Sequence, residues 1–429
     1  GANITSSDNV LIGYQAGDAL VAGGENVAIG SGALGAEDGN GSNVAIGYNA
    51  LLVQNAGADA HNVAVGHSAG VALTTSPENV LVGGDAGKAL TSGDGKNIAI
   101  GYNALATEDG TGYNTAVGHN ALSTLNSSTN AWNVAVGINA GQDMTTGAQC
   151  TLIGSKAGGN ITTGHYNTAL GMVALATNTV GRKNTALGMY SLYTHNPSTA
   201  TDTNNTAVGY YSGVAITTGT DNCLIGTYAG DALTASSGNT AVGRGSLSAD
   251  TLGAKSTAVG YHALNAQNFT TATDTYNVTV GYEAGAAITT GIQNTLIGGL
   301  AGDALTDADR NVAVGRLALS TDTLGSKSTA IGWNALATQN FSTATDTNNT
   351  AVGHSAGSEI TTGVNNTLIG SNAGDALTDA DYNVAVGNVA LSADTLGSKS
   401  TAIRYYALAR QNFSTATDAH NTAIGYGAG

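Results

Sequence analysis

The sequence is poor in the residues that usually build compact cores and stapled domains. Its 429 residues include 2 cysteines, 2 prolines, 3 phenylalanines and 2 tryptophans, and 10% of its residues are charged. Aromatic residues make up only 5%, so Ala, Val, Ile and Leu must form the core, with the 62 glycines at corners. This composition favours thin, closely stacked layers over a large globular interior.

Basic residues and long apolar runs are also scarce. There are 13 Lys and Arg against 29 Asp and Glu, a net charge of −16, which argues against a nucleic-acid surface and against binding to anionic lipid. No run of 18 apolar residues is present, and the first residues, GANITSSDNV, do not resemble a signal peptide. We therefore expect no nucleic-acid partner and no membrane insertion.

A short phrase, Asn-(Thr/Val)-(Ala/Leu)-(Val/Ile/Leu)-Gly, returns 24 times along the whole chain. Its dominant spacing is 17 residues, and a larger unit of four repeats places some closing glycines 72 residues apart, namely Gly137, Gly209, Gly281, Gly353 and Gly425. Repetition at this period indicates a solenoid or fibre, in which each unit packs only against its neighbours. Residues 1–429 are therefore predicted to be one continuous array.

The four repeats of the larger unit differ in the residues that come after the phrase. Two continue with Ala-Gly or Ser-Gly and two with Ala-Leu, and the last carries a short insertion, as in NALATQNFSTATDTN from residue 334. We predict an all-β fold, a parallel β-solenoid or β-roll of about 24 turns with these insertions in every fourth turn. Stacked at about 4.8 Å, 24 turns give a rod of roughly 115 Å.

Two neighbouring positions of the phrase are apolar. The residue before the glycine is Val, Ile or Leu, from Ile12 to Ile424, and we expect it to face a dry interior. The preceding residue is Ala or Leu almost everywhere and points to the opposite side of a strand. Both faces are thus apolar, which is typical of strands buried on two sides. The second face would be covered by other chains, most economically in a trimer, or by a half-turn of the same chain.

The polar ends of the phrase have structural interpretations. Asn opens 20 of the 24 repeats, and its side-chain amide is expected to form a ladder along the stack and to cap the turn before the strand. The closing Gly permits a sharp corner. Arg404 replaces it once, and we expect the corner there to relax to an ordinary conformation, with a bulge as the alternative.

Cys150 and Cys223 lie four repeats apart, about 19 Å if the repeats stack once per turn. That separation is too long for a disulfide within one chain. Each is interpreted as a small buried residue, and a bridge between chains is the alternative.

The repeat NTA(V/I/L)GxxAL with its Thr- and Gly-rich turn resembles the repeats of bacteriophage tail fibres, and more distantly the head repeats of trimeric autotransporter adhesins. The resemblance spans Asn9 to Gly429. It implies a trimeric, non-enzymatic shaft that contacts host glycan or protein from a virion surface or an extracellular position. The alternative is a bacterial adhesin stalk or extracellular filament. Ice or mineral binding fits poorly, because Thr pairs occur chiefly in one repeat of four.

An enzyme would require a break in the repeat where unlike functional side chains converge, and no such break is apparent. The eight histidines occupy variable positions and are interpreted as surface substitutions: His61, His67, His119, His165, His195, His262, His354 and His420. Their spacing fits neither a metal site nor a catalytic triad.

A weak metal hypothesis concerns the recurring segment GDALTDAD. Hard cations such as Ca²⁺ need several carboxylate oxygens close together. The candidate ligands are Asp303, Asp307, Asp309, Asp375, Asp379 and Asp381, although a solvated turn is the simpler interpretation. No other cofactor is predicted.

All three phenylalanines lie in the four-residue insertions, as Phe269, Phe341 and Phe413 in QNF(S/T)TATD. One interpretation is that each ring folds back to cap the groove beside its turn. The other is that the insertions form a row of surface contact points for weak multivalent attachment to a glycan.

Overall fold

The computed structural model describes residues 5–109 and 112–429 and confirms the predicted fold class. The chain is an all-β, parallel β-solenoid of about 24 turns, with about 17 residues in most turns. The described residues form no helix. Each turn contributes one three-residue strand from the repeated phrase, and the remainder of the turn is a series of tight bends.

The chain divides into two compact units, residues 1–220 and 221–429. The strands of unit 1 are β1 Val10–Ile12, β2 Val27–Ile29, β3 Val44–Ile46, β4 Val63–Val65, β5 Val80–Val82, β6 Ile98–Ile100, β7 Thr115–Val117, β8 Val134–Val136, β9 Thr151–Ile153, β10 Thr168–Leu170, β11 Thr185–Leu187 and β12 Thr206–Val208.

The three-residue strands of unit 2 are β13 Cys223–Ile225, β14 Thr240–Val242, β16 Thr257–Val259, β18 Val278–Val280, β19 Thr295–Ile297, β20 Val312–Val314, β22 Thr329–Ile331, β24 Thr350–Val352, β25 Thr367–Ile369, β26 Val384–Val386, β28 Thr401–Ile403 and β30 Thr422–Ile424. Three further pairs have two residues per strand: β15 Gly253–Ala254 with β17 Thr273–Asp274, β21 Gly325–Ser326 with β23 Thr345–Asp346, and β27 Gly397–Ser398 with β29 Thr417–Asp418.

Within each unit, every strand of the phrase pairs in parallel with the strand of the next turn. The register is conserved, so Thr295 pairs with Val312 and Ile297 with Val314. Identical positions of the repeat therefore form columns along the sheet, and a side chain meets its own counterpart above and below. This arrangement makes stacking energies add from turn to turn.

The assignment of the strand faces from sequence was wrong. The central Ala or Leu of the phrase faces the interior, as in Ala313 and Leu296, which are fully buried. The following Val, Ile or Leu faces outward and keeps a substantial exposed fraction, 38% for Ile297 and 45% for Leu170. Only the central residue of each three-residue strand is enclosed by the coil, and the Val, Ile or Leu column lies outside.

The two kinds of turn are explained by size complementarity inside the coil. Where the strand carries Leu368, the position four residues after the corner is Gly374, and a Cβ on Gly374 would lie 2.8 Å from the side chains of Leu368 and Leu377. Where the strand carries Ala385, the same position is Leu391, which is fully buried. In other Ala-Gly turns both positions are small, as with Ala351 and Gly357, and Leu336 and Leu368 of the neighbouring turns fill the space beside Gly357.

The asparagine ladder is confirmed. The side-chain oxygen of each Asn accepts a hydrogen bond from the backbone N–H of its counterpart in the next turn, as from Asn311 to Asn294 at 3.0 Å. Its amide also donates to a carbonyl at the end of its own turn, as from Asn294 to Ala308 at 2.7 Å. These buried amides thus link each turn to the next and close the coil before the strand begins.

The corner glycines have positive φ, for example 139° at Gly298, where a Cβ would lie 2.5 Å from the carbonyl oxygen of Gly315. The expected relaxation at Arg404 does not occur, because its φ is 97°. The alternative bulge is absent too, since β28 pairs in register with both β26 and β30. Pairing on both sides holds the arginine in a conformation that L-residues rarely adopt.

Candidate functional site

The outward face of the sheet presents an apolar column in both units. The Val, Ile or Leu that precedes each corner lies on this face, and many of these side chains are more than a third exposed. The values are 39% for Ile225, 38% for Ile331 and 39% for Ile369. In each unit, twelve strands at about 4.8 Å and a width of three residues give a face of about 500 Å². In unit 2 the first outward position of the strand is Thr in eight of twelve turns, so the apolar column is one stripe of this face, and contiguous apolar surface of this kind often marks an interaction site.

Exposed aromatic residues extend this face at the position directly after the corner. In unit 2 they form stacked pairs that recur every four turns: Tyr261 with Tyr282 at 5.4 Å between ring centroids, Trp333 with His354 at 4.7 Å, and Tyr405 with Tyr426 at 5.4 Å. The rings are held by stacking on the parallel sheet and so lose little further freedom on association.

Tyr48 with His67 and Tyr102 with His119 are the corresponding pairs in unit 1. Three of the predicted surface histidines, His67, His119 and His354, therefore belong to the aromatic column. Together the strand column and the aromatic column form the sheet face, the name used below for this surface.

Two of the three phenylalanines proposed as surface contacts are buried, and the third is partly covered. Phe269 and Phe341 are only 7% and 6% exposed, and Phe413 is half-buried. A Cβ on Gly397 would lie 2.7 Å from the Phe413 ring, which shows how closely the ring packs on the preceding turn. The inserted residues fold back and pair with that turn, so the rings cover the core and are not contact points.

Each folded insertion covers a buried polar cluster that the sequence did not reveal. In the second copy, the Asp322 carboxylate accepts hydrogen bonds from the N–H groups of Gly325 at 3.0 Å and Phe341 at 3.2 Å. It also accepts one from the Gln339 amide at 2.5 Å. The same Gln339 accepts from Asn349 at 2.9 Å. Gln339 thereby continues the asparagine ladder at the turn where Ser328 replaces Asn.

Outside the cluster, the insertion is fastened by an ion pair between exposed side chains. Lys327 lies 2.5 Å from Asp346, and the equivalent pairs are Lys255–Asp274 and Lys399–Asp418. The lysine lowers the pKa of Asp274 and Asp418 by hydrogen bonding to their carboxylates. Exposed pairs of this kind contribute little to stability, so we assign them a role in positioning the loop.

The six aspartates considered for calcium are not brought together. Asp307 accepts a hydrogen bond from Thr290 at 2.6 Å, and Asp309 accepts one from the Ile292 N–H at 2.8 Å. Asp379 and Asp381 make the same two bonds one repeat unit later. Burial raises the pKa of Asp303 and Asp375. In the described part of the chain, no group of three or more His, Cys, Asp or Glu side chains is placed to hold a metal ion.

Two further predictions on single residues have different outcomes. His195 is fully buried, contrary to its interpretation as a surface residue, with Nε2 3.1 Å from the Thr203 hydroxyl, and burial lowers its pKa to about 4. Cys150 is a buried free cysteine, as predicted, and burial raises its pKa to about 11. Cys223 is also free but only half-buried, since it occupies an outward position of β13.

Comparison with known proteins gives no relatives. No known family model matches the sequence, and neither a curated protein nor a solved structure is similar to it. Within residues 5–109 and 112–429 there is no helix long and apolar enough to cross a membrane. The function must therefore be inferred from the geometry of the chain itself.

Proposed function

We propose that this chain is a non-enzymatic shaft segment of a virion-surface fibre, such as a phage tail fibre, and that three copies assemble through the sheet face. The observation that supports assembly is the exposed apolar column on the strands of both units, exemplified by Ile225 and Ile369. In each unit the sheet face offers about 500 Å², an area within the range of apolar patches that mark interaction sites.

The narrowness of the sheet favours three chains. Each strand has three residues, so each sheet is about 10 Å wide. Three such faces can close around one axis, and each chain is then covered by the other two with no open sheet face left over. A fibre of this kind would present its turns and insertions outward, where they can contact host glycan or protein. An adhesin stalk or another extracellular filament would use the same assembly.

Molecular mass in solution tests the assembly. We expect light scattering coupled to small-angle scattering to give three times the chain mass of 42.2 kDa. The double variant Ile297→Lys/Ile369→Lys places two charges in the proposed apolar interface and should yield single chains, because an unpaired buried charge opposes association strongly.

The matched control is Tyr382→Lys. Tyr382 is 56% exposed, and Lys399 occupies the equivalent position in the next turn, so a lysine is compatible with the fold there and the trimer should persist. A wild-type chain that is monomeric, or a double variant that remains trimeric, would contradict assembly through the sheet face. A stable dimer would retain the interface but exclude the three-chain arrangement.

A further inference from the structure

A polar cleft of about 320 Å³ lies in unit 1 and is built entirely from turn residues. Its lining includes Gln142, Lys156, Asn160 and Tyr193, with Gly159 and Ala176 between them, and spans four successive turns. No strand residue lines the cleft, so it lies off the sheet face.

The cleft is produced by a local departure from the repeat. The position five residues after the corner forms a column along the turns, and in these four turns it holds Gln142, Gly159, Ala176 and Tyr193. Two small residues between two large ones leave the space of two side chains empty. In unit 2 the position of Gly159 is occupied by aspartate, at Asp231, Asp303 and Asp375.

The polar groups around this space are available to a ligand. The side-chain amides of Gln142 and Asn160 and the ammonium of Lys156 have no hydrogen-bond or ionic partner among the described residues. The Tyr193 ring is fixed by an edge-on contact with Tyr190 at 5.3 Å between centroids. Thr177 further holds this turn by donating to the Tyr193 carbonyl at 2.6 Å.

Lys156 differs from the six other lysines of the chain. Five of them pair with aspartate: Lys88, Lys183, Lys255, Lys327 and Lys399. Lys96 lies over the Tyr113 ring. In a chain with 29 acidic residues and a net charge of −16, a lysine without a partner beside a cleft is an unfilled site for one negative charge.

We propose that this cleft binds one acidic hexose unit, such as a hexuronate, of a surface glycan. Amides offer paired donors and acceptors to vicinal hydroxyls, the Tyr193 ring offers an apolar wall to the C–H face of a pyranose, and Lys156 pairs with the carboxylate. The volume lies at the small end of ligand pockets, about 300–1,000 Å³, which limits the ligand to about one sugar. A polyphosphate fits this cleft less well, because its several negative charges would meet a single cationic lining residue, Lys156, on a protein with a net charge of −16.

This inference rests on the proposed function for the presence of a glycan, and it is tested separately by titration calorimetry. The probes are a galacturonate tetrasaccharide and its methyl ester, in which methyl groups remove the carboxylate charges. We expect the acid to bind with at least about fivefold higher affinity than the ester, consistent with one charge-assisted hydrogen bond. Lys156→Gln should abolish this difference and retain binding of the ester.

Gly159→Asp should lower affinity for the acid at least about tenfold, because a second negative charge then fills the cleft. Aspartate occupies the equivalent position three times in unit 2, so the fold should persist, with only the small loss of stability at pH 7 that burial of a carboxylate brings there. The control Gly39→Asp makes the same substitution in another turn, where a side chain would meet open space, and should bind like wild type. Tyr193→Ser, with the residue found at the equivalent Ser123, removes the aromatic wall and should also weaken binding.

The inference is overturned if wild type binds neither probe, if acid and ester bind equally, or if Gly159→Asp binds like wild type. The mass of the same samples separates this failure from that of the fibre proposal. If the protein is trimeric and binds neither galacturonate probe, only the cleft proposal is refuted. If it is monomeric and binds the acid as expected, only the proposed assembly is refuted.

Discussion

Units 1 and 2 fill the same buried position, seven residues after the corner, in different ways. Unit 2 has the same hydrogen-bonded pair of Asp and Gln in consecutive turns three times, as Asp250–Gln267, Asp322–Gln339 and Asp394–Gln411. Unit 1 uses Glu37 with Gln54 in one copy and Asn178 with His195 in another. In the Ala-Gly turns the position is apolar, as in Leu305 and Ile360.

The difference shows what the fold requires at this position and what it leaves free. A carboxylate, a carboxamide or an imidazole is accepted: in the Asn178 and His195 copy the Asn178 amide oxygen accepts from the Gly181 N–H at 2.9 Å, while Nδ1 of His195 is buried without a hydrogen-bond partner among the described residues. Unit 1 therefore varies the side chains at this position within the same fold, and its turns also contain the cleft. Unit 2 has kept nearly identical copies, which serve as internal controls for one another.

The largest effect is expected from Asp322→Ala. The N–H groups of Gly325 and Phe341 would lose their acceptor, and each buried unpaired donor costs about 1–3 kcal/mol. We expect a local loss of about 4 kcal/mol, measured by hydrogen exchange of the amides near residues 322–349. The equivalent cluster around Asp394 in the same molecule is the control.

A double variant sharpens the comparison. Asp322→Asn with Gln339→His transplants the pair found at Asn178 and His195 in unit 1. If an acceptor for the Gly325 N–H is the requirement, as Asn178 supplies one for the Gly181 N–H, this pair should restore at least half of the protection lost in Asp322→Ala. Equal loss in both variants would show that the carboxylate itself is required.

Acid should destabilise unit 1 through His195. Burial lowers its folded pKa to about 4 from an ordinary value of 6.5, so the unfolded state binds the extra proton between these values. The histidine's contribution to stability is complete above about pH 6.5 and is lost as the pH falls toward 4, by about 3 kcal/mol.

His195→Gln introduces the residue that unit 2 uses and should remove this loss. Denaturant unfolding at about pH 7.5 and pH 4.5, followed by exchange of amides near residues 184–205, measures the effect. The exposed His354→Gln serves as the control. Unchanged acid sensitivity in His195→Gln would contradict the assignment.

The smallest effect concerns Asp231, the unit 2 counterpart of Gly159 beside the cleft. Burial raises its pKa to about 6 from 3.8, so its contribution to stability is full below pH 3.8 and is lost as the pH rises through 6. Asp231→Asn should therefore stabilise the protein at pH 7 by about 1 kcal/mol, allowing for solvent screening of a half-exposed group.

The gain should disappear at about pH 3.5, where the wild-type carboxyl is also neutral. Thermal unfolding of both proteins at the two pH values is the measurement. A gain that is the same at both values would exclude the carboxylate charge as its cause.

Several site residues could not be recognised from sequence because their role depends on neighbours one turn away. The cluster of Asp322 and Gln339 joins residues 17 positions apart, and only the stacking register brings them into contact. The cleft was missed for the same reason, since Gly159 is ordinary in a chain with 62 glycines. The useful signal was the column of equivalent positions, in which Gly159 stands where other copies have aspartate.

The period of the sequence by itself determined the all-β class, the number of turns, the parallel register and the asparagine ladder. A repeated phrase at nearly constant spacing places like residues beside like residues, whatever the shape of the coil. Only the tertiary structure decided that the central Ala or Leu column faces inward, that the Phe269 and Phe341 rings are buried, and where side-chain volume is missing. These outcomes depend on how the turn closes around a narrow interior, where space is limited by the residues of the turns above and below.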